Sequence, residues 1–285
     1  MAWAELTDSR CYYDVTGQGD PLLLVAGLGA TCESWRNLTG DLGQHFSVIQ
    51  CDNRGMGESA AKRSPTTLAD FSSDIVELLD HLQLERVHVL GLSLGGIIAQ
   101  RLAIDHPSRI DRLVLVSCAD AFTPYLREVA KLLGQALRHF PPDAFVRTME
   151  LLSVSPEYLD ANPALVEQRI KDQCLKRIPK LALARQLRCL ACSDVDPNDY
   201  RIAAPTLVVA GEYDGLIPMC YSRRMSERIA GSKFMLVTNA GHNPLVECPE
   251  RVLPEIVQFL SDGRYRAEDV AHDESDQHSE AMVEA

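Results

Sequence analysis

Short apolar runs that alternate with helix-like segments constrain the fold of this chain more than any other feature of its sequence. Each run is rich in Val, Ile and Leu, is bounded by Gly, Asp or Asn, and has the length of one buried strand. The runs are residues 22–26, 46–51, 87–90, 113–117, 206–210 and 234–237. Because strands and helices alternate along the chain, the pattern predicts an α/β fold, in which helices cover both faces of a mostly parallel sheet.

Two further segments predict one helix and one additional strand of this fold. Residues 67–82 repeat Leu, Ile and Phe at three-residue and four-residue spacing, which is typical of a helix with one apolar face. Thr67 and Asp70 match the pattern of a capping pair at its start. Residues 10–16 precede a turn at residues 17–20, and we expect them to form an antiparallel strand at an edge of the sheet.

The alternation stops in the middle of the chain. Residues 120–201 have helical periodicity and many prolines, which predict several short helices in an inserted cap, or lid. This cap divides the α/β core into residues 1–119 and residues 202–262. Residues 263–285 are polar and acidic with few apolar side chains to bury, so their composition predicts a disordered tail.

Charge and composition narrow the functions open to the chain. Its 285 residues carry a formal net charge of -12, so we expect no basic surface for nucleic acid or for an anionic membrane. The first residues lack the pattern of a secretory signal, and no apolar stretch reaches the roughly 20 residues of a membrane span. Nine cysteines, an odd number, favour free thiols over a disulfide framework. We therefore expect a cytoplasmic protein that acts on a small molecule.

The sharpest chemical signal is the pentapeptide Gly91-Leu92-Ser93-Leu94-Gly95. This Gly-x-Ser-x-Gly pattern follows an apolar run and opens a helix, which is the context that a nucleophile elbow requires. At such an elbow the serine has a strained backbone, and side chains at Gly91 and Gly95 would collide with it. A serine between glycines is also typical of an ordinary helix N-cap or turn, so the pentapeptide alone leaves both interpretations open.

Two later loops contain partners for a nucleophilic serine. Asp214 and His242 each follow a predicted strand, and open α/β sheets place their sites at the carboxyl ends of strands. The chain order of serine, acid and histidine agrees with a hydrolase elbow. Each partner taken alone is also typical of an ordinary loop. Glu212 and Asp120, which also follow predicted strands, remain competing candidates for the acid.

These signals together resemble the α/β-hydrolase family over about residues 11–260. The resemblance rests on four separated stretches: the elbow continued by Gly96, Gly211-Glu212-Tyr213-Asp214-Gly215-Leu216-Ile217-Pro218, Gly241-His242, and Asp52-Asn53-Arg54-Gly55-Met56-Gly57-Glu58-Ser59. In overall pattern the chain is similar to bacterial carboxylesterases and to enol-lactonases of aromatic degradation. Such proteins use the elbow serine as nucleophile, so the resemblance implies that Ser93 attacks, His242 acts as general base and Asp214 orients the histidine.

The resemblance also implies an oxyanion hole made by the backbone amides of Leu28 and Leu94. One departure from the family concerns this region. Many relatives have a His-Gly pair after the third strand, whereas this chain has Ala26 before Gly27. Because the hole uses backbone N–H groups, the side chain at position 26 is not itself a donor.

The expected reaction is hydrolysis of a small to medium carboxylic ester or lactone through an acyl-enzyme, with no cofactor and no metal. Cys189 and Cys192 have the spacing of two metal ligands, but no second pair follows, and we interpret them as packing residues. Two alternatives stay open. One is hydrolysis of an enol-lactone, or of a carbon–carbon bond in a diketone, and the other is a ligand-binding receptor with slow turnover.

Overall fold

A mostly parallel sheet of nine strands organises the chain in the computed structural model, which describes residues 2–62, 67–175, 179–192 and 200–262. The strands are β1 (Ala2–Glu5), β2 (Ser9–Thr16), β3 (Asp20–Val25), β4 (Phe46–Cys51), β5 (Ala60–Ala61), β6 (Val87–Leu92), β7 (Ile110–Val116), β8 (Thr206–Gly211) and β9 (Lys233–Val237). Their spatial order is β1-β2-β4-β3-β6-β7-β8-β9, and β5 pairs with β2. The strands from β4 to β9 along this order are parallel.

The six predicted strands correspond to β3, β4, β6, β7, β8 and β9, and the predicted α/β fold is confirmed. The bounds of β4 are those predicted, and the other five differ by a few residues at their ends. Five of the six are runs of mainly buried residues, because helices cover the sheet on both sides. In β9, the last strand of the sheet order, only Val237 is buried.

Residues 10–16 form an antiparallel strand, as expected, but the expected position at the edge of the sheet was wrong. They lie in β2, which is antiparallel to β4 on one side and to β1 on the other, so β1 is the edge. The short β1 pairs with β2 along its whole length, and side chains of the two strands also meet: Glu5 forms an ion pair with Arg10 at 2.9 Å, and the Arg10 guanidinium lies 5.0 Å from the ring centre of Trp3. Four residues with weak alternation carry too little pattern to predict such a strand.

Eleven α-helices lie in the part of the chain that the structure describes. They are α1 (Arg36–Leu42), α2 (Leu68–His81), α3 (Leu94–Asp105), α4 (Pro124–His139), α5 (Pro142–Ser153), α6 (Pro156–Ala161), α7 (Pro163–Leu175), α8 (Lys180–Cys192), α9 (Met219–Arg228), α10 (Pro244–Glu247) and α11 (Pro249–Ser261). Helix α2 begins where the sequence predicts, and the backbone N–H of Thr67 donates to the Asp70 carboxylate at 3.0 Å. This bond satisfies one amide that the helix itself cannot pair.

The pleat of the sheet divides the core into two apolar clusters. Leu22 and Leu24 of β3 point toward α1 and α11, whereas Leu23 and Val25 point toward α2, α3 and α9. Side chains alternate between the faces of a strand, so one continuous apolar run supplies both layers. The sheet is thereby held rigidly between two sets of helices.

Helices α4 to α8 stand between β7 and β8 and form a helical insertion. Four of them begin with proline, which is tolerated in the first turn because the N–H there has no intrahelical partner. Apolar side chains of α4, α5 and α8 pack with Ala119, Leu216 and Ile217, which follow β7 and β8. The helical insertion therefore contacts the carboxyl edge of the sheet. The predicted disordered tail, residues 263–285, lies outside the described residues.

Candidate active site

The carboxyl ends of the central strands meet at one edge. The backbone N–H of Ser93, just after β6, donates to the carbonyl of Val116 at the end of β7 at 2.9 Å. The N–H of Ser117 donates in the same way to Val209 of β8, also at 2.9 Å, and β8 and β9 pair through their last residues. The loops that carry the serine, the acid and the histidine therefore leave the sheet on the same edge.

Ser93 sits on a sharp turn between β6 and α3. Its backbone has φ 56° and ψ −120°, which non-glycine residues seldom adopt. A Cβ at Gly91 would lie 2.5 Å from the carbonyl oxygen of Gly95, so the first glycine lets the turn close. A Cβ at Gly95 would instead overlap the carbonyl oxygen of Val25 in β3. The second glycine thus lets α3 approach the neighbouring strand, which the sequence did not reveal.

Asp214 and His242 are in direct contact. The Nδ1 atom of His242 lies 2.7 Å from Oδ2 of Asp214. The other carboxylate oxygen accepts hydrogen bonds from the backbone N–H groups of Leu216 and Ile217, at 2.9 and 2.8 Å. Both side chains are buried, with Asp214 only 7 % and His242 only 6 % exposed. The carboxylate is therefore held on both oxygens, and the imidazole is oriented with Nε2 left for another partner.

The competing acids are engaged elsewhere. Asp120 is fully buried as a side chain and forms ion pairs with Arg224, at 2.7 Å, and with Arg228. Glu212 accepts a hydrogen bond from the backbone N–H of Asn239 at 3.1 Å and faces solvent. Among the described residues, Asp214 is thus the carboxylate that meets the imidazole.

The loop of His242 is fixed by contacts with the helical insertion. Its backbone N–H donates to the carbonyl of Ser153, at the end of α5, at 2.8 Å. The Glu247 carboxylate accepts from the N–H of Gly241 at 3.0 Å and from the N–H of Ser155 at 2.9 Å. Glu247 therefore joins the histidine loop to the junction between α5 and α6. Sequence reasoning missed this residue, since nothing in its neighbourhood marks a long-range contact.

Ser93 and His242 share this edge, but no hydrogen bond joins the Ser93 hydroxyl to the imidazole in the described part of the chain. Catalytic hydrogen bonds are often long or poorly aligned in proteins without ligand and shorten when substrate binds. The structure thus places Asp214 and His242 in direct contact. Ser93 lies on the same sheet edge, where the loops after the parallel strands emerge.

The loop after β3, which contains Leu28, lies beside the serine. A Cβ at Gly27 would lie 3.4 Å from the Cβ of Ser93. The backbone N–H of Gly29 donates to Oε1 of Gln186, a residue of α8, at 2.9 Å. Leu94 is the first residue of α3, directly after the serine. Both amides predicted for the oxyanion hole therefore belong to segments next to Ser93.

Two residues of the stretch from Asp52 to Ser59 hold the loop after β3 in place through hydrogen bonds. The Asp52 carboxylate accepts from the N–H of Cys32 at 2.7 Å, and the Asn53 side chain donates to the carbonyl of Ala26 at 3.0 Å. Arg54 forms a two-pronged ion pair with the buried Asp74, with both contacts at 2.5 Å. The bonds to Cys32 and Ala26 brace both ends of the segment that contains Leu28, and the ion pair ties the stretch to α2.

The described residues match neither the pattern of a metal site nor that of a membrane-spanning helix. In residues 2–62, 67–175, 179–192 and 200–262, no group of three or more His, Cys, Asp or Glu side chains is arranged to hold a metal ion. Cys189 is buried in the apolar core, whereas the side chain of Cys192 lies outside what the structure describes. Over the same ranges, no helix combines the length and apolar character that crossing a bilayer requires.

The chain has a mostly parallel sheet between helices, and one edge of that sheet carries a serine on a strained turn and a buried Asp–His pair. This combination is typical of α/β enzymes that hydrolyse their substrates. The chain belongs to the α/β-hydrolase family, because the family model described as "alpha/beta hydrolase fold" matches residues 20–249. The resemblance expected from the motifs is thereby confirmed, and the protein is a hydrolase.

Similar proteins agree with this assignment. The chain is 31% identical over 256 residues to a protein of Caulobacter sp. strain K31 named as a candidate carbamate hydrolase, RutD, covering 88% of this chain and 95% of the relative. A thermophilic esterase from Thermogutta terrifontis is 27% identical, with a TM-score of 0.80 over 91% of this chain and 98% of that one. The enol-lactonase from Burkholderia xenovorans LB400 shares the fold, at 24% identity and a TM-score of 0.81 over 92% and 100% of the chains.

Proposed function

We propose that the protein is a serine hydrolase that cleaves a small to medium carboxylic ester or lactone through an acyl-enzyme. In this proposal Ser93 attacks the substrate carbonyl while Nε2 of His242 takes the hydroxyl proton, because an unassisted serine is a poor nucleophile at neutral pH. The imidazolium then gives that proton to the leaving alcohol. Water attacks the acyl-enzyme by the same route in reverse and frees the acid.

The observation that carries the proposal is the contact of 2.7 Å between His242 and Asp214 on the same sheet edge as the turn of Ser93. The aspartate holds the tautomer with the proton on Nδ1, which leaves Nε2 as the base, and stabilises the cation that forms. The oxyanion of the tetrahedral intermediate would accept from the amides of Leu28 and Leu94, each contributing roughly 2.7–4 kcal/mol in comparable enzymes.

We assign the helical insertion the role of a lid, with the core divided as residues 1–119 and 202–262 around a cap at 120–201. Its support is the apolar cluster that joins α4, α5 and α8 to residues after β7 and β8. A lid in that place excludes water from the site and sets the shape of the substrate pocket. The nature of the substrate therefore depends on the insertion more than on the three reacting side chains.

A carbamate is the second candidate substrate, because the curated relative from Caulobacter is named for carbamate hydrolysis. The same groups would attack the carbamate carbonyl, and His242 would protonate a leaving amine instead of an alcohol. Parallel assays of aryl esters, lactones and carbamates of matched size separate the two candidates, since the preferred class has the highest kcat/KM.

A covalent label tests the role of Ser93. We expect an aryl organophosphonate to inactivate the protein and to add one phosphonyl group, which peptide mass spectrometry locates on Ser93. The Ser93→Ala variant should lose nearly all activity while its thermal unfolding stays close to that of the parent protein. Labelling of another residue, or near-normal rates in Ser93→Ala, would refute the assignment.

A further inference from the structure

One buried amide joins the helical insertion to the loop after β3. Gln186 of α8 is only 1 % exposed, and its Oε1 atom accepts the hydrogen bond of 2.9 Å from the N–H of Gly29. Leu183, one turn earlier on the same helix, would lie 3.1 Å from a Cβ at Gly29. Helix α8 therefore rests directly on the segment that contains Leu28.

This hydrogen bond settles which way the Gln186 amide points. A backbone N–H can only donate, so the atom that faces Gly29 must be the oxygen, and the NH₂ group lies on the other side. Within the described residues Nε2 has no hydrogen-bond acceptor. A buried donor left without a partner carries a free-energy penalty, which an acceptor from a bound ligand or a bound water would remove.

The Gln186 amide lies among mainly apolar side chains, close to the loop after β3. Leu28 packs against the apolar cluster that includes Leu183 and Leu187 of α8, and Gly27 lies against Ser93. A small number of polar groups in a mainly apolar wall is the arrangement by which small-molecule sites orient their ligands. The Gln186 side chain therefore contacts the same short segment that lies beside Ser93.

We propose that Gln186 determines substrate specificity by donating a hydrogen bond from Nε2 to a second oxygen of the substrate. This inference rests on the proposed function and names its substrate class. The preferred substrate is an ester or lactone that carries, besides the scissile carbonyl, a carbonyl or carboxylate oxygen a few bonds away. A purely hydrocarbon acyl or alcohol group would leave the amide unpaired.

Two matched pairs of esters test this inference. The first compares 4-nitrophenyl 4-oxopentanoate with 4-nitrophenyl pentanoate, and the second compares 4-oxopentyl acetate with pentyl acetate. We expect the native protein to favour the keto member of at least one pair by roughly tenfold in kcat/KM, the range of one buried hydrogen bond. In Gln186→Glu the oxygen toward Gly29 remains, and the ionised carboxylate has no donor. The keto preference should therefore disappear when the assay is run at a pH high enough to ionise this buried carboxyl.

Gln168→Glu makes the same chemical change at an exposed position of α7 and serves as the control. Its keto preference should equal that of the native protein. If neither pair shows a preference that Gln186→Glu removes, the amide serves the fold or a bound water only, and the inference is overturned.

A binding measurement separates this inference from the proposed function. If the native protein hydrolyses none of the esters, the proposed function fails. Calorimetric titration with 4-oxopentanoate and with pentanoate then decides the role of Gln186. Tighter binding of the keto acid that Gln186→Glu abolishes supports the donor role, and equal binding of the two acids overturns it.

Discussion

Ser93 stores backbone strain at the place where the chemistry is proposed. A non-glycine residue at φ 56° and ψ −120° lies outside the favoured regions, at a cost of about 1–3 kcal/mol. The flanking structure imposes this conformation, because β6 is buried between β3 and β7 and the first residues of α3 are buried as well. The strain lifts the side chain above the sheet and places it at the amino end of a helix, where negative charge is stabilised.

At the same scale, Asp214→Asn tests the orienting role of the acid. The change keeps the shape of the side chain but removes the charge, and it disturbs the tautomer of His242. We expect kcat to fall on the order of 10⁴-fold, as such a change does in comparable triads, while the fold is retained. Glu212→Gln, on the same loop but facing solvent, is the matched control and should stay within about twofold of the native rate. Full activity in Asp214→Asn would mean that another acid orients the histidine.

At the scale of elements, hydrogen bonds connect the loop that carries His242 with the helical insertion. This loop follows β9, yet the N–H of His242 donates to Ser153 of the helical insertion. The N–H of Gly241 donates to Glu247, which also accepts from Ser155 of the insertion. Gly241 has no side chain because a Cβ there would lie 2.7 Å from the carbonyl oxygen of Ser153. The helical insertion and the loop of His242 are therefore linked, so a shift of α5 and α6 would move His242.

Glu247 provides the test of that link. In Glu247→Ala the N–H groups of Gly241 and Ser155 lose their shared acceptor, so we expect roughly a tenfold fall in kcat with little change in KM. Glu247→Gln keeps one acceptor oxygen and should recover most of the loss. Glu250→Ala, at an exposed position of α11, should leave kcat unchanged. A lower unfolding temperature with an unaltered kcat in Glu247→Ala would show that the residue serves stability alone.

At the scale of the whole molecule, one buried histidine in the central sheet makes stability depend on pH. His88 of β6 is 6 % exposed, its Nδ1 atom has no partner within the described residues, and its ring meets Phe46 edge-on at 6.0 Å. Burial lowers the pKa of His88 from its ordinary value of 6.5, because the charged ring would lose its hydration. The folded protein therefore favours the neutral ring.

The sign of the effect follows from that lowered pKa. The contribution of neutral His88 to stability is complete above pH 6.5 and is lost as the pH falls toward the pKa of the folded state, since the unfolded chain binds the proton first. We expect His88→Gln to lose less unfolding free energy than the native protein between pH 7 and about pH 5. Urea unfolding at each pH measures this difference. Parallel curves for the two proteins would contradict the prediction.

The sequence by itself determined the layers of this protein. Buried strands need continuous apolar runs and helices need a repeat near 3.6 residues, and both patterns act over a few neighbouring residues, so they could be recognised without coordinates. The same holds for the turn at Ser93, because only glycines permit its close approaches. Fold class, strand order along the chain and the residue types on three loops were therefore predictable.

Tertiary structure alone decided which of these groups meet. The sequence favoured Asp214 over Glu212 and Asp120 as the acid without excluding either, and only the packed loops show that Asp214 contacts the imidazole. The bond between Gly29 and Gln186 spans 157 positions in the chain, and no local pattern marks either end of it. Such contacts depend on the sum of packing across the whole core, because a shift of one helix by an ångström makes or breaks a hydrogen bond.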